Sequence, residues 1–177
     1  MIEEQLKAYI RDIPDFPQPG IVFKDITPLL QQPELVRLAV KEFVRKLEEI
    51  EIDVIAGIES RGFLFGFLLA QELNKPFVPI RKQGKLPFHT ISESYKLEYG
   101  QATIEMHEDA IQEGTKVLMH DDLLATGGTV VAASKLVEKL GGVITGYSFV
   151  ISLDFLQSAG RLTRFSENII SLVHYED

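Results

Sequence analysis

"VLMHDDLLATGGT", residues 117–129, passes from an apolar run through two adjacent carboxylates into an Ala-Thr-Gly-Gly turn and then opens a helical pattern. A strand, a glycine turn and a helix in that order leave free backbone N–H groups and the positive helix end pointing at whatever occupies the turn. A phosphate monoester suits such a place. The glycines let the backbone approach without a Cβ in the way, and the hydroxyls of Thr126 and Thr129 add donors. Asp121 and Asp122 stand beside the turn, where carboxylates can accept from vicinal ribose hydroxyls or hold a hydrated Mg²⁺. The string is no P-loop, because no Gly-Lys-Ser/Thr follows the turn, and it lacks the Gly-x-Gly-x-x-Gly of a dinucleotide site. Two glycines alone would read as an ordinary loop. The acid pair, the turn and the threonines together suit a ribose 5-phosphate.

On either side of this stretch the pattern is one of alternating strands and helices. "PELVRLAVKEFVRKLEEI" (residues 33–50) repeats apolar residues at i, i+4 and i+8 after a proline start, which predicts an amphipathic helix. "DVIAGIE" then reads as a short buried strand, "GFLFGFLLAQEL" as a helix, "PFVPIR" as a strand, "KVLMHD" as a strand, "TVVAASKLVEKLG" as a helix ending at Gly141, and "VITGYSFVIS" as a strand. This alternation predicts an α/β domain with a mostly parallel central sheet flanked by helices. Ligands of such sheets bind beyond the carboxyl ends of the strands. Three loops therefore share one candidate face: "GIESRG" after the first of these strands, "RKQGK" after the second and "DDLLATGGT" after the third.

The composition narrows the function classes. With 177 residues, 45% of them hydrophobic, the chain is the size of one domain that buries roughly 70% of its unfolded surface. No internal repeat or linker divides residues 1–177. A net charge of −8 opposes sequence-independent attraction to nucleic acid or anionic lipid. The chain has no cysteine, hence no disulfide framework or thiolate chemistry, and "MIEEQLKAYI" lacks the features of a signal peptide; the expected compartment is the cytoplasm. "GFLFGFLLA" is far shorter than the roughly 20 residues that span a bilayer, so no membrane partner is expected. His89, His107 and His174 fall in no metal-ligand spacing.

Residues 82–100, between "PFVPIR" and "ATIEM", which reads as a further strand, form the longest stretch without a clear pattern. Connections longer than about 12–15 residues are commonly lids or binding loops. Lys82 and Lys85 at its start and Glu98 near its end would bring cations and a carboxylate over the site on closure.

The quoted stretch resembles the 13-residue signature of the type I phosphoribosyltransferases, which bind 5-phosphoribosyl-1-pyrophosphate. "PDFPQPGIVFKDITPLL" (14–30), "GIESRGFLFG" (57–66), "RKQGKLP" (81–87) and "SYKLEYG" (94–100) are similar, in order and spacing, to the adenine-specific branch of that family. The resemblance implies a type I phosphoribosyltransferase fold with a short base-binding segment over residues 1–32, a flexible catalytic lid over 82–100, and an Mg²⁺-dependent transfer of the phosphoribosyl group to adenine in purine salvage. It implies Asp121, Asp122, Ala125, Thr126, Gly127, Gly128 and Thr129 for the ribose 5-phosphate, and Glu59, Ser60, Arg61, Arg81, Lys82 and Lys85 for the pyrophosphate, with a cis peptide often present in the "GIESRG" loop. Glu98, with Lys82, Lys85 and Arg61, is implied in catalysis, and backbone groups of Val22 and Lys24 with the side chains of Phe23 and Leu123 in holding adenine. Mg²⁺ would arrive with the substrate, near Asp121 and Asp122. A homodimer is also implied, for which the "RGFLFGFLLA" helix offers an apolar surface, burial inside the monomer being the alternative.

For Arg61 alone the competing reading is a surface salt bridge, and for Phe23 it is core packing. Three positions depart from the family's usual pattern. His120 replaces an aliphatic residue before the acid pair and reads as a hydrogen-bonded core histidine, Lys24 replaces a common arginine, and Phe67 replaces a common proline. The alternative functions are a 6-oxopurine phosphoribosyltransferase and a non-catalytic sensor of phosphoribosyl pyrophosphate.

Overall fold

Four short elements precede the first long helix: a helix at Ile2–Lys7 (α1), strands Arg11–Pro14 (β1) and Val22–Asp25 (β2) paired as an antiparallel ribbon, and one helical turn at Thr27–Leu30 (α2). The helix Pro33–Lys46 (α3) follows, with proline at its start where a missing N–H costs nothing. It buries Ala39, Val40 and Phe43 and stops at Leu47, so that Ile50 lies beyond its end rather than in its apolar stripe. The computed structural model of the chain describes residues 1–97 and 100–177.

The strand Val54–Ile58 (β3) is buried at every position, as expected for a strand covered on both faces. After it come the helix Gly62–Glu72 (α4), strands Phe77–Lys82 (β4), Thr90–Lys96 (β5), Gln101–His107 (β6) and Lys116–Leu124 (β7), the helix Gly128–Lys139 (α5), and strands Val143–Leu153 (β8) and Ile169–Tyr175 (β9). The large sheet has the order β5-β6-β4-β3-β7-β8-β9. Pairing is parallel from β4 through β3, β7 and β8 to β9, and antiparallel where the β5–β6 hairpin joins the edge of β4.

Successive residues of a strand face opposite sides, and two cores result. Val54, Ala56 and Ile58 of β3 join Val117 and Met119 of β7 beneath α5; Ile55 and Leu118 face the other way, toward α1, α3 and α4. Among the described residues no helix is long and apolar enough to cross a membrane.

Three local expectations are corrected. Within the 82–100 stretch, residues 90–96 are not irregular, because β5 pairs with β6 along the strand's whole length, from Thr90↔His107 to Lys96↔Gln101. "TISESYK" conceals the strand because Ile91, Glu93 and Tyr95 share one face and only two of the three are apolar. The strand that begins "KVLMHD" does not end at the first aspartate but continues to Leu124, which places Asp121 and Asp122 on its last turns of pleat rather than in a loop. The carboxyl-terminal strand "IISLVHY" closes the sheet edge beside β8, where the sequence pattern had singled out no element.

Candidate active site

The turn between β7 and α5 is shaped by one backbone conformation. Gly127, the residue before the helix, has φ +77°, a left-handed geometry that glycine adopts without Cβ strain. The first N–H groups of α5 lack intrahelical acceptors and face outward together. The Arg161 guanidinium donates to the carbonyl of Thr126 at 2.6 Å and braces the turn from behind; Thr129 Oγ1 donates to the hydroxyl of Tyr95 at 3.0 Å. A cavity of about 70 Å³ is lined by Asp121, Leu123, Ala125, Thr126, Gly127, Gly128, Thr129 and Val130. That is well below the roughly 300–1,000 Å³ of a pocket for a drug-sized ligand, and fits an anionic head group rather than a heterocycle.

Beside the turn, β7 presents its two carboxylates differently. Asp122 is buried and ion-paired with the Arg61 guanidinium, which comes from the loop between β3 and α4, 61 residues away in sequence. Asp121 accepts the backbone N–H of Asp122 at 2.8 Å. Burial and the neighbouring Asp122 charge push the Asp121 carboxyl well above its ordinary value, with Arg61 only partly offsetting them. Gly62 makes this approach possible: a Cβ there would come within 2.9 Å of Asp121 Oδ1 and 3.0 Å of the His120 carbonyl. Arg61 is therefore not a detached surface ion pair, since its partner is almost wholly buried.

The "GIESRG" loop contains a cis peptide between Glu59 and Ser60. Ser60 is exposed, whereas the Glu59 carboxylate turns sideways to β4, accepting the Lys82 N–H at 2.9 Å and the Arg81 Nε at 3.2 Å. Burial opposes its ionisation, but the Lys82 amide and the Arg81 guanidinium outweigh that and hold it below the usual glutamate value. Glu59 thus fixes Arg81 and the start of the next loop. Arg81 also donates to the Lys85 carbonyl at 3.2 Å, and Glu105 of β6 accepts the Gly84 N–H at 3.0 Å. These bonds fold residues 82–85 into a tight turn on which Lys82 and Lys85 are exposed, with neither ammonium in an ion pair among the described residues.

The β1–β2 ribbon brings Phe23 to the same region, where the Arg61 guanidinium lies over its ring at 4.9 Å and Phe16 packs edge-on at 5.2 Å. Phe23 is half-buried, with aromatic surface still open. Val22 is exposed, and Leu123 is partly buried at the end of β7. The Lys24 side chain is committed elsewhere: its ammonium pairs with Asp12 at 2.8 Å and lies 3.9 Å from the centre of the Tyr175 ring, so only its backbone remains for a base. Glu98 lies outside the described residues.

The structure thus gathers Asp121, Leu123, Ala125, Thr126, Gly127, Gly128 and Thr129 around one cavity, joins Phe23, Arg61 and Asp122 in one chain of contacts, and ties Glu59, Arg81, Lys82 and Lys85 into one loop system. Sequence reasoning missed Tyr95, Arg161 and Glu105. The period-two spacing of Ile91, Glu93 and Tyr95 is the signal that could have found the first; the other two act through carbonyl and amide groups and leave no pattern.

His120 is fully buried, with Nδ1 2.8 Å from Ser148 Oγ and its ring edge-on to Phe43; burial pushes its pKa down to about 3. Gly66 leaves room for it, since a Cβ there would lie 3.2 Å from His120 Cδ2. This is the setting of a neutral core histidine.

A parallel sheet with a phosphate-sized helix N-terminus, an acid pair beside it and a cationic loop across from it defines the phosphoribosyltransferase class. Residues 25–153 match the family described as "Phosphoribosyl transferase domain". The chain is 51% identical over 175 residues to an adenine phosphoribosyltransferase of Cytophaga hutchinsonii, covering 99% of this chain and 97% of that one. Its structure is similar to the crystal structure of the adenine phosphoribosyltransferase from Thermoanaerobacter pseudethanolicus, with TM-score 0.93, 47% identity, and 99% and 100% of the two chains covered. It is also similar to the Saccharomyces cerevisiae adenine phosphoribosyltransferase complexed with an imino-altritol bisphosphate and adenine, with TM-score 0.89, 38% identity, and 97% and 98% covered. The chain belongs to the adenine phosphoribosyltransferase family.

Proposed function

We propose that this protein transfers the 5-phosphoribosyl group of 5-phosphoribosyl-1-pyrophosphate to adenine, forming AMP and pyrophosphate, a purine-salvage reaction. The observation that carries the choice of adenine is the extent of the match. The family model stops at residue 25 on the amino-terminal side, whereas the adenine-specific relative aligns over 99% of the chain and so shares the β1–β2 ribbon that carries Phe23. The yeast relative, whose crystal structure contains adenine together with a sugar-like bisphosphate, supports the same pairing of ligands.

The turn at Thr126–Thr129 holds the 5-phosphate, and Asp121 and Asp122 accept from the ribose hydroxyls. Arg61, Ser60, Lys82 and Lys85 receive the pyrophosphate. Adenine lies between Phe23 and Leu123, an apolar slot that suits a flat ring, with the Val22 and Lys24 backbone reading its edge. The N9 lone pair forms the bond to the anomeric carbon as the C–O bond to pyrophosphate breaks, and the purine's imidazole proton is managed by Glu98. Positive charge grows on the ribose ring and negative charge on the leaving group, so cationic side chains placed opposite the sugar stabilise the separation.

Among the described residues no cluster of three or more metal-ligating side chains exists. Asp121 beside the turn is a fitting partner for an ion that uses one or two carboxylates plus substrate phosphates, which is the habit of Mg²⁺. Bound with the pyrophosphate, Mg²⁺ would neutralise charge on the leaving group. The cytoplasm is the compartment we assign.

Leu64, Phe67 and Leu68 form an exposed apolar stripe on α4, the helix that begins directly after Arg61. We assign this stripe to a homodimer interface. Light scattering should give about twice the 19.9 kDa chain mass at micromolar concentration, and Phe67→Glu should shift it toward monomer. A monomer for the unmutated protein would overturn the assignment.

The reaction is tested with a base panel: protein, Mg²⁺ and phosphoribosyl pyrophosphate, offered adenine, hypoxanthine, guanine or xanthine in turn, with nucleotide and pyrophosphate both quantified. AMP and pyrophosphate in equal amounts from adenine alone is the expected result. Product from a 6-oxopurine instead would reassign the base, and binding of the donor with no product from any base would favour a sensor.

A further inference from the structure

Tyr95 is the one side chain of β5 that reaches the phosphate turn through a hydrogen bond among the described residues. Its hydroxyl accepts from Thr129 Oγ1 at 3.0 Å, and its ring lies against the preceding residue, where a Cβ on Gly128 would stand 3.7 Å from Tyr95 Cδ2. The proton of Thr129 is used in that bond. The phenol's own proton has no acceptor among the described residues, although the group stands at a helix N-terminus that attracts anions.

The same face of β5 is moored along α5. Glu93, two residues before Tyr95 and on the same side of the strand, pairs with Lys135 at 3.2 Å and with Lys139 at 2.6 Å. Lys139 also donates to the Ser92 carbonyl at 2.9 Å, and Ile91 packs against the core under the helix. Thr129, Lys135 and Lys139 lie along α5 from its first turn to its last. Whatever fills the turn is therefore linked, through one hydroxyl, to the strand that leans on the whole helix.

We propose that Tyr95 is a substrate-binding residue: its hydroxyl donates to an oxygen of the phosphate held by the turn, and phosphate binding thereby tightens β5 against α5. This rests on the phosphoribosyl reading of the turn. A neutral hydroxyl donating to a phosphate dianion forms a charge-assisted bond, stronger than the hydroxyl-to-hydroxyl contact it extends.

The test uses ribose 5-phosphate as the probe and Tyr95→Phe, which removes one oxygen and leaves the ring against Gly128. Calorimetric titration is expected to show affinity reduced about tenfold or more, with the melting temperature and the adenine KM unchanged. In hydrogen exchange, amides of residues 91–96 are expected to gain protection when ribose 5-phosphate saturates the unmutated protein, and to gain none in Tyr95→Phe. Glu93→Gln serves as the control: it loosens the mooring of β5 and leaves the affinity for ribose 5-phosphate within a factor of two or so. Wild-type affinity in Tyr95→Phe overturns the proposal, whatever the exchange pattern. Weaker binding accompanied by a lower melting temperature and a raised adenine KM also overturns it, in favour of a purely structural role. Failure of the unmutated protein to bind ribose 5-phosphate would instead strike the phosphoribosyl reading itself, and this proposal with it.

Discussion

Arg61→Ala is expected to lower kcat/KM for the phosphoribosyl donor by about 100-fold or more, the scale on which removal of one preorganised charge-stabilising donor is felt. Two consequences combine in this variant. The leaving group loses a guanidinium, and Asp122 is left buried without its partner, next to a second carboxylate. Breaking a fully buried pair costs about 3–5 kcal/mol. Arg61 is 40% exposed, so water screens part of the interaction and the loss of stability should be nearer ~2 kcal/mol.

The pH profile should move as well. Burial and the Asp122 charge already hold the Asp121 carboxyl above its ordinary value, and Arg61 is the charge that counters them. A carboxyl that must be ionised to accept from ribose is fully competent only above its folded pKa. Removing Arg61 raises that pKa further, and the acid limb of donor binding shifts to higher pH. Steady-state kinetics across pH, with calorimetry for stability, read all three effects. Arg61→Lys should recover much of the stability and little of the activity, because an ammonium keeps the charge and loses the planar fork. Donor kinetics unchanged in Arg61→Ala would remove Arg61 from the site.

Glu98→Gln is expected to lower kcat by roughly 100-fold or more while the KM for the phosphoribosyl donor stays close to the unmutated value. The amide preserves size and hydrogen-bonding reach but takes up no proton from the purine ring. The split matters, because a residue that merely ordered the neighbouring loop would change KM and kcat together. Near-normal turnover at saturating substrates would sink the role of Glu98. Read with the Arg61 variant, this result separates the two charges of the reaction: one residue acts on the leaving group, the other on the attacking base.

Residues 117–129 show how far local reading reaches. A strand end, a glycine at positive φ and the free amides of a helix's first turn are all decided within a few residues of one another, so the shape of the turn could be inferred before any long-range contact was known. The strand–helix alternation was legible for the same reason, since periods of 2 and 3.6 are local properties. Legibility failed where one face of a strand carries mixed polarity. In β5, Glu93 interrupts the apolar set because its partners, Lys135 and Lys139, come from a helix more than 40 residues on.

The sequence by itself determined the α/β class, the glycine turn before the helix, the position of the acid pair beside it, and the three loops at the carboxyl ends of neighbouring strands. Only the tertiary structure decided which charges meet. Arg61 reaches Asp122 across 61 residues and lies over the ring of Phe23, whereas Lys24, equally cationic, is drawn away to Asp12 and Tyr175. Residues 90–96 likewise became a strand only because β6 supplied a full ladder of partners. The physical reason is common to all of these. Backbone conformation is set mainly by near neighbours and their spacing, but an ion pair or a strand edge has many possible partners along the chain, and packing of the whole sheet selects among them.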